Sequence, residues 1–311
     1  YLNLETYKTN KVIHTYPDKI DENIIEENWG MLIQSLNETF VSARIDSESF
    51  WNTLKNSVQE NSVLYIAANY QVTQNDKGSN LFLKAIYKSI KQIPVIYKST
   101  TPYGDSVMLS GKIFLPVTKD VKGIIVANHY TICANQEAPS QANSIEGIFA
   151  TKDYIVLMPD YLGYGVSDTI LHPYLHIEST VMSSIDLLDA ALPYLRVLSY
   201  DTSLPLILIG YSQGAAVTLA MQKKIETEYS NKYTISHVYV GAGPYDLAST
   251  YDYYFKNETI EIPCALPMII TGMSYGENLN LSQDEYFQQK LKDLYPITIA
   301  SKQKTLVEVN K

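Results

Sequence analysis

With 311 residues, 46% of them hydrophobic and 18% charged, the chain carries enough apolar material for a large core and too much for a disordered polymer. A net charge of -9 and only two arginines, Arg44 and Arg196, argue against a nucleic-acid partner and against a site built to grip phosphates. No apolar run approaches the roughly 18 to 20 residues that span a bilayer, so no transmembrane segment is expected.

The chain opens at Tyr1, which reads as a removed leader or a trimmed start, and its 26 tyrosines suit a wet, envelope-facing surface. Both lean towards a secreted or cell-envelope location. From about residue 20 the pattern is helical: Ile24, Ile25, Trp29, Leu32, Ile33 and Leu36 share one stripe behind a capping Asp21. "SESFWNTLKNSV" and "NLFLKAIYKSIKQ" repeat that pattern until Pro94, so residues 1–93 are expected to form a helical extension packed on the main body.

At Pro94 the pattern changes. "PVIYKST", the turn "PYGD" and "VMLSGKIFLP" predict a hairpin. "GIIVANHYT", "DYIVLMPDYLGYG", "LPLILIG" and "SHVYVGAG" then read as strands apolar on both faces. The helical stretches "ESTVMSSIDLLDAALPYL" and "GAAVTLAMQKKIETEY" lie among them. Such alternation predicts an α/β fold with a mostly parallel sheet covered by helices, its core over 94–247. Residues 248–311, Tyr-rich and helical, read as the start of a cap. Cys133 and Cys264 could pair, and are equally well read as buried small hydrophobes.

In "LILIGYSQGAAVTLA" a glycine-flanked serine sits where a buried strand turns into a small-residue helix. A tight turn there leaves no room for side chains at Gly210 and Gly214, lifts Ser212 clear of both elements, and aims the helix's free N–H groups at its oxygen. That is the posture of an attacking group; the competing reading is a packing turn. "PDYLGYGVSD" carries Asp160, Gly163 and Gly165 on a loop whose expected role is structural. His172 and His176 stand four apart like a metal pair, but Pro173 pushes His172 out of helical angles and no carboxylate is arranged nearby, so no metal and no cofactor are expected.

At these residues the chain resembles the α/β-hydrolase family, and within it the secreted lipase and esterase group with a helical cap. The resemblance spans roughly residues 94 to 250, carried by "SGKIFLP", "ANHYT", "PDYLGYGVSD", "GYSQGA" and "GAGPYDL" in that order. It implies a serine-dependent hydrolase of small-molecule acyl esters with Ser212 as nucleophile. Gln213 then supplies one oxyanion-hole N–H, and Tyr130 or its neighbour His129 the second. Tyr130 stands where the family more often has glycine. A non-catalytic binding protein and a serine peptidase on the same fold are the alternatives.

The relay that activates such a serine runs serine, acid, histidine in chain order in this fold. Of the five histidines, His14, His129, His172, His176 and His237, only the last follows Ser212, and it opens a strand at the end away from the serine. Asp246, Asp252, Asp284 and Asp293 follow as acids, with no histidine to complete the relay. The expectation is therefore a truncated or cleaved part of a longer hydrolase.

Overall fold

The computed structural model describes residues 64–66 and 90–311, apart from 143, 258, 259, 261 and 280. The predicted hairpin is present. β2 (Lys91–Thr100) and β3 (Ser106–Leu115) pair antiparallel from Lys91↔Leu115 to Thr100↔Ser106. Their turn closes with the Thr101 N–H on the Asp105 carbonyl at 2.8 Å, and Gly104 takes φ +83°, a conformation glycine adopts without strain.

Two sequence expectations need correction here. β1 (Leu64–Ile66) is a strand inside the stretch read as helical, and pairs antiparallel with β2. β2 begins at Lys91 and runs through Pro94, where a helix was expected to stop. Isoleucines spaced by three satisfy a helical template, and short apolar runs do not distinguish the two periods. Pro94 is tolerated because it lies just past the last β1 pair, Ile66↔Val95, at the edge of that ladder. The rest of the predicted helical extension lies outside the described residues.

The sheet continues with β4 (Gly123–Asn128), β5 (Tyr154–Pro159), β6 (Leu206–Tyr211) and β7 (Ile235–Gly241). Its order is β1-β2-β3-β5-β4-β6-β7, with β5, β4, β6 and β7 parallel and β3 antiparallel to β5. β2 therefore points the same way as the parallel strands, and β1 and β3 oppose them. β4 is buried along its whole length and β5 nearly so, as strands covered on both faces must be.

α1 (Ile177–Val197) and α2 (Gln213–Glu228) pack on one face and on each other. Val181, Ile185, Leu188 and Val217 there meet Ile124, Val126, Leu157 and Leu208. The opposite face buries Phe114, Ile125, Val156 and Met158 with Ala150 of a 3-10 segment, Ile145–Lys152. β7 departs from its sequence reading as a doubly buried strand. It is the edge of the described sheet, and Ser236, His237 and Tyr239 are exposed.

Residues beyond β7 are helical, as expected: α3 (Leu247–Lys256), α4 (Ala265–Gly276), α5 (Gln283–Tyr286), α6 (Gln289–Thr298) and α7 (Leu306–Val309). They have an apolar cluster of their own, in which Met268, Ile269, Phe287, Tyr295 and Ile299 close over Cys133, Tyr174 and Leu175. The sulfurs of Cys133 and Cys264 lie 3.8 Å apart in it, unbonded and buried. Among the described residues no helix is long and apolar enough to cross a membrane.

Removing side-chain volume from the central layer should be costly in proportion to how completely it is enclosed. Leu157→Ala, at a residue with no exposed surface, is expected to lower unfolding free energy by about 2–5 kcal/mol in urea titrations. Leu219→Ala, on the outer side of α2 with 38% of its surface exposed, should lower it by less than about 1 kcal/mol.

Candidate active site

The site is built where β6 runs into α2. Ser212 is the N-cap of α2, at φ 55° and ψ -123°, a backbone state that non-glycine residues occupy only when their surroundings force it. Its own N–H donates to the Gly241 carbonyl of β7 at 2.9 Å, and its carbonyl accepts from Ala215 at 2.9 Å. The side chain makes no capping hydrogen bond and remains half-exposed.

The two flanking glycines are required by contact. A Cβ at Gly210 would lie 2.2 Å from the Gly214 carbonyl oxygen, and a Cβ at Gly214 would lie 2.0 Å from that of Asn128. The elbow is thus pressed backbone to backbone against the end of β4. A buried polar chain holds it there: the Asn128 amide donates to Thr218 Oγ1 at 2.9 Å and accepts from Ser184 Oγ at 2.7 Å, while Thr218 donates to the Ile209 carbonyl at 3.0 Å. Nothing in the periodicity or motifs singled out Asn128 or Thr218.

Gln213, the first residue of α2, is buried, and a helix's first N–H groups have no partner within the helix. The loop leaving β4 adjoins it, since the His129 carbonyl lies 2.6 Å from the position a Gly214 Cβ would take. His129 is buried and Tyr130, beside it, is exposed. The His129 ring is stacked on Tyr161, with Nδ1 at 2.6 Å from the Tyr130 carbonyl and Nε2 at 3.2 Å from that of Asp160. Burial lowers its pKa to about 4, against both carbonyls, so the ring is neutral at pH 7.

His172 turns from a dismissed metal ligand into part of the site's frame. Its Nδ1–H donates to the Leu162 carbonyl at 2.7 Å, leaving the Nε2 lone pair to accept from the Gln213 side-chain amide at 2.9 Å. Burial, foremost, lowers its pKa to about 3. His176 faces elsewhere, towards Ser179 at 2.8 Å and Glu277 at 3.5 Å. A histidine placed by a proline-broken segment gives no periodic signal, which is why its meeting with Gln213 was missed.

Asp160 is buried, accepting from Ser110 Oγ at 2.5 Å and the Ser140 N–H at 2.7 Å, and burial raises its pKa. Gly165 sits against it: a Cβ there would lie 1.9 Å from Ser110 Oγ and 2.1 Å from Asp160 Oδ2. Gly165 is thus packed where no side chain fits.

The candidate acids are not gathered at Ser212. Asp246 caps α3, accepting from the N–H groups of Ala248 and Ser249 and from Ser249 Oγ, which holds its carboxyl below the usual range. Asp252 pairs with Lys256, Asp284 with Lys292, and Asp293 accepts from Gln289. His237 lies beside Ile207, while Ser212 hydrogen-bonds Gly241 at the other end of β7.

This arrangement, a mixed sheet with a serine elbow between a parallel strand and its following helix, is the α/β-hydrolase fold, and solved structures match it. A provisionally assigned hydrolase from Legionella pneumophila is 28% identical with a TM-score of 0.64, covering 69% of this chain and 59% of its own. The rice cell wall degrading esterase LipA from Xanthomonas oryzae is 24% identical with a TM-score of 0.60, covering 73% and 64%. Candida antarctica lipase A is 16% identical with a TM-score of 0.55, covering 78% and 54%. The chain thus spans about three fifths of the length of the first two. No protein-family model and no curated protein matches the sequence.

The two buried neutral histidines fix a pH dependence. Each has a folded pKa below the ordinary 6.5, so the unfolded chain binds more protons and stability falls as pH drops from about 6.5 towards 4 for His129 and 3 for His172. Asp160, raised, contributes the opposite slope above 3.8. The melting temperature should fall between pH 7 and pH 4, and His172→Gln should flatten that fall; equal slopes in the two proteins would exclude a buried neutral His172.

Proposed function

We propose that the protein is a serine-dependent carboxylic ester hydrolase of the lipase and esterase kind, acting on small-molecule acyl esters, with a secreted or cell-envelope location. The observation that carries this reading is Ser212 held at φ 55° on the junction of β6 and α2, its hydroxyl free of the cap at the N-terminus of the helix. Similarity to an esterase and a lipase supports it.

In the proposed reaction Ser212 Oγ attacks the ester carbonyl carbon, and its proton passes to a base. The carbonyl electron pair moves onto oxygen, where the Gln213 N–H and that of Tyr130 or His129 receive the charge. Collapse expels the alcohol, which takes the proton from the base, and water releases the acid from the acyl-serine by the same steps. Among the described residues His237 and Asp246 are directed elsewhere, and neither is assigned as the base or its orienting acid. The same commitment of Asp246 to its helix favours the second reading, a non-catalytic protein that binds a ligand at the elbow.

The test uses the full-length gene product with short and long p-nitrophenyl esters. Ser212→Ala should lower kcat by about 10⁴-fold or more. A fluorophosphonate probe should label the wild type and spare the variant. Undiminished turnover in Ser212→Ala removes the hydrolase reading, and absence of labelling in an otherwise folded wild type favours the binding protein.

A further inference from the structure

The C-terminal segment reaches the loops around Ser212 through one part-buried ammonium. Lys302, just beyond α6, donates from Nζ to the carbonyls of Gly163 at 2.6 Å, Asp168 at 2.6 Å and Ile170 at 2.5 Å. An ammonium has three N–H groups, and here each has an acceptor. The same nitrogen stands 5.6 Å from the centre of the Tyr164 ring. Burial lowers the lysine's pKa to about 8 and the Asp168 charge opposes the fall, so the charged form predominates at pH 7.

The main chain of Lys302 joins the second loop of the site. Its carbonyl accepts from the Asn135 N–H at 2.8 Å. Asn135 in turn accepts from the Gly165 N–H at 2.6 Å and donates to the Asp168 carboxylate at 3.2 Å. Tyr164, under the ammonium, donates to the Ile132 carbonyl at 2.6 Å. One residue therefore ties the segment after β4, which begins at His129 and Tyr130, to the segment after β5.

That second segment continues into His172. Leu162 supplies the carbonyl that holds His172 Nδ1–H, and Gly163, whose carbonyl is in the lysine's grip, lies so close that a Cβ there would be 2.6 Å from the His172 α-carbon. His172 Nε2 then receives the Gln213 side chain. Lys302, the 162–172 loop, His172 and Gln213 form one contiguous run of hydrogen bonds and backbone contacts ending beside Ser212.

We propose that Lys302 is a positioning residue for the site at Ser212, its ammonium setting the course of residues 162–172 and, through His172, the seat of Gln213. The proposal deepens the ester-hydrolase reading and rests on it for its kinetic arm only. Two substitutions separate charge from packing. Lys302→Met keeps most of the side-chain volume and removes all three donors. Lys302→Ala leaves a space the shape of propylammonium, the part of the lysine it deletes.

In the full-length protein, both variants should exchange amide hydrogens across residues 161–176 about tenfold faster, with α4 and α6 unchanged. Hydrolysis of p-nitrophenyl esters should lose about 10²-fold in kcat at nearly constant KM, as a misplaced oxyanion donor requires. Propylammonium should restore both readouts in Lys302→Ala and neither in Lys302→Met. Wild-type exchange across 161–176 in the variants overturns the proposal, as does a kcat loss that propylammonium leaves unrepaired in Lys302→Ala. The exchange arm needs no catalysis, so an activity that survives Ser212→Ala would refute the hydrolase reading while leaving Lys302 to be judged on exchange alone.

Discussion

The structure depends on a contact between main chains. At the end of β6 the chain reverses into α2 with the Gly214 α-carbon resting on the Asn128 carbonyl and the Gly210 α-carbon resting on the Gly214 carbonyl. These distances admit no side chain, so β4, β6 and α2 are locked in one arrangement before any catalytic group is considered. Ser212 takes its unusual backbone angles as a result, because the tight reversal leaves it no ordinary conformation that still bonds Gly241. The Asn128–Thr218–Ile209 hydrogen bonds then satisfy the buried polar groups that such an approach would otherwise strand.

The parts of the fold written in local pattern were legible in advance. The hairpin from Pro94 on, the buried strands β4, β5 and β6, and both long helices follow from apolar runs and turn residues, while the first three residues of β2 were read as helix. Gly210 and Gly214 announced the elbow because glycine at those spacings has a steric cause. What was not legible depends on tertiary placement. β7 was read as doubly buried although it carries Ser236 and His237, and its edge position leaves those two and Tyr239 exposed. β1 is three residues long, too short for any period.

Within the site the same division holds. Ser212 stood out because a strand-to-helix motif brackets it with glycines, whereas Gln213 and the β4 loop were named only through the family resemblance. His172 was not identifiable as part of the site, since forty-one residues separate it from Gln213 and the intervening helix α1 must fold back before they meet. Lys302 is more remote still, and a lysine in a polar tail carries no sign of burial in its sequence neighbourhood. His172 is buried, and the apolar cluster around Met268 and Tyr295 packs on Tyr174 and Leu175, two and three residues beyond it.

The backbone-on-backbone fit of the elbow also limits how this sequence can drift. A cramped side chain can be relieved by trimming whatever it strikes, so most core positions change in pairs. At 210 and 214 the obstacle is a carbonyl group, which every amino acid carries, and no second substitution can make it smaller. Those two sites have no suppressors close at hand, and the same holds at Gly163, where a side chain would strike the backbone of His172.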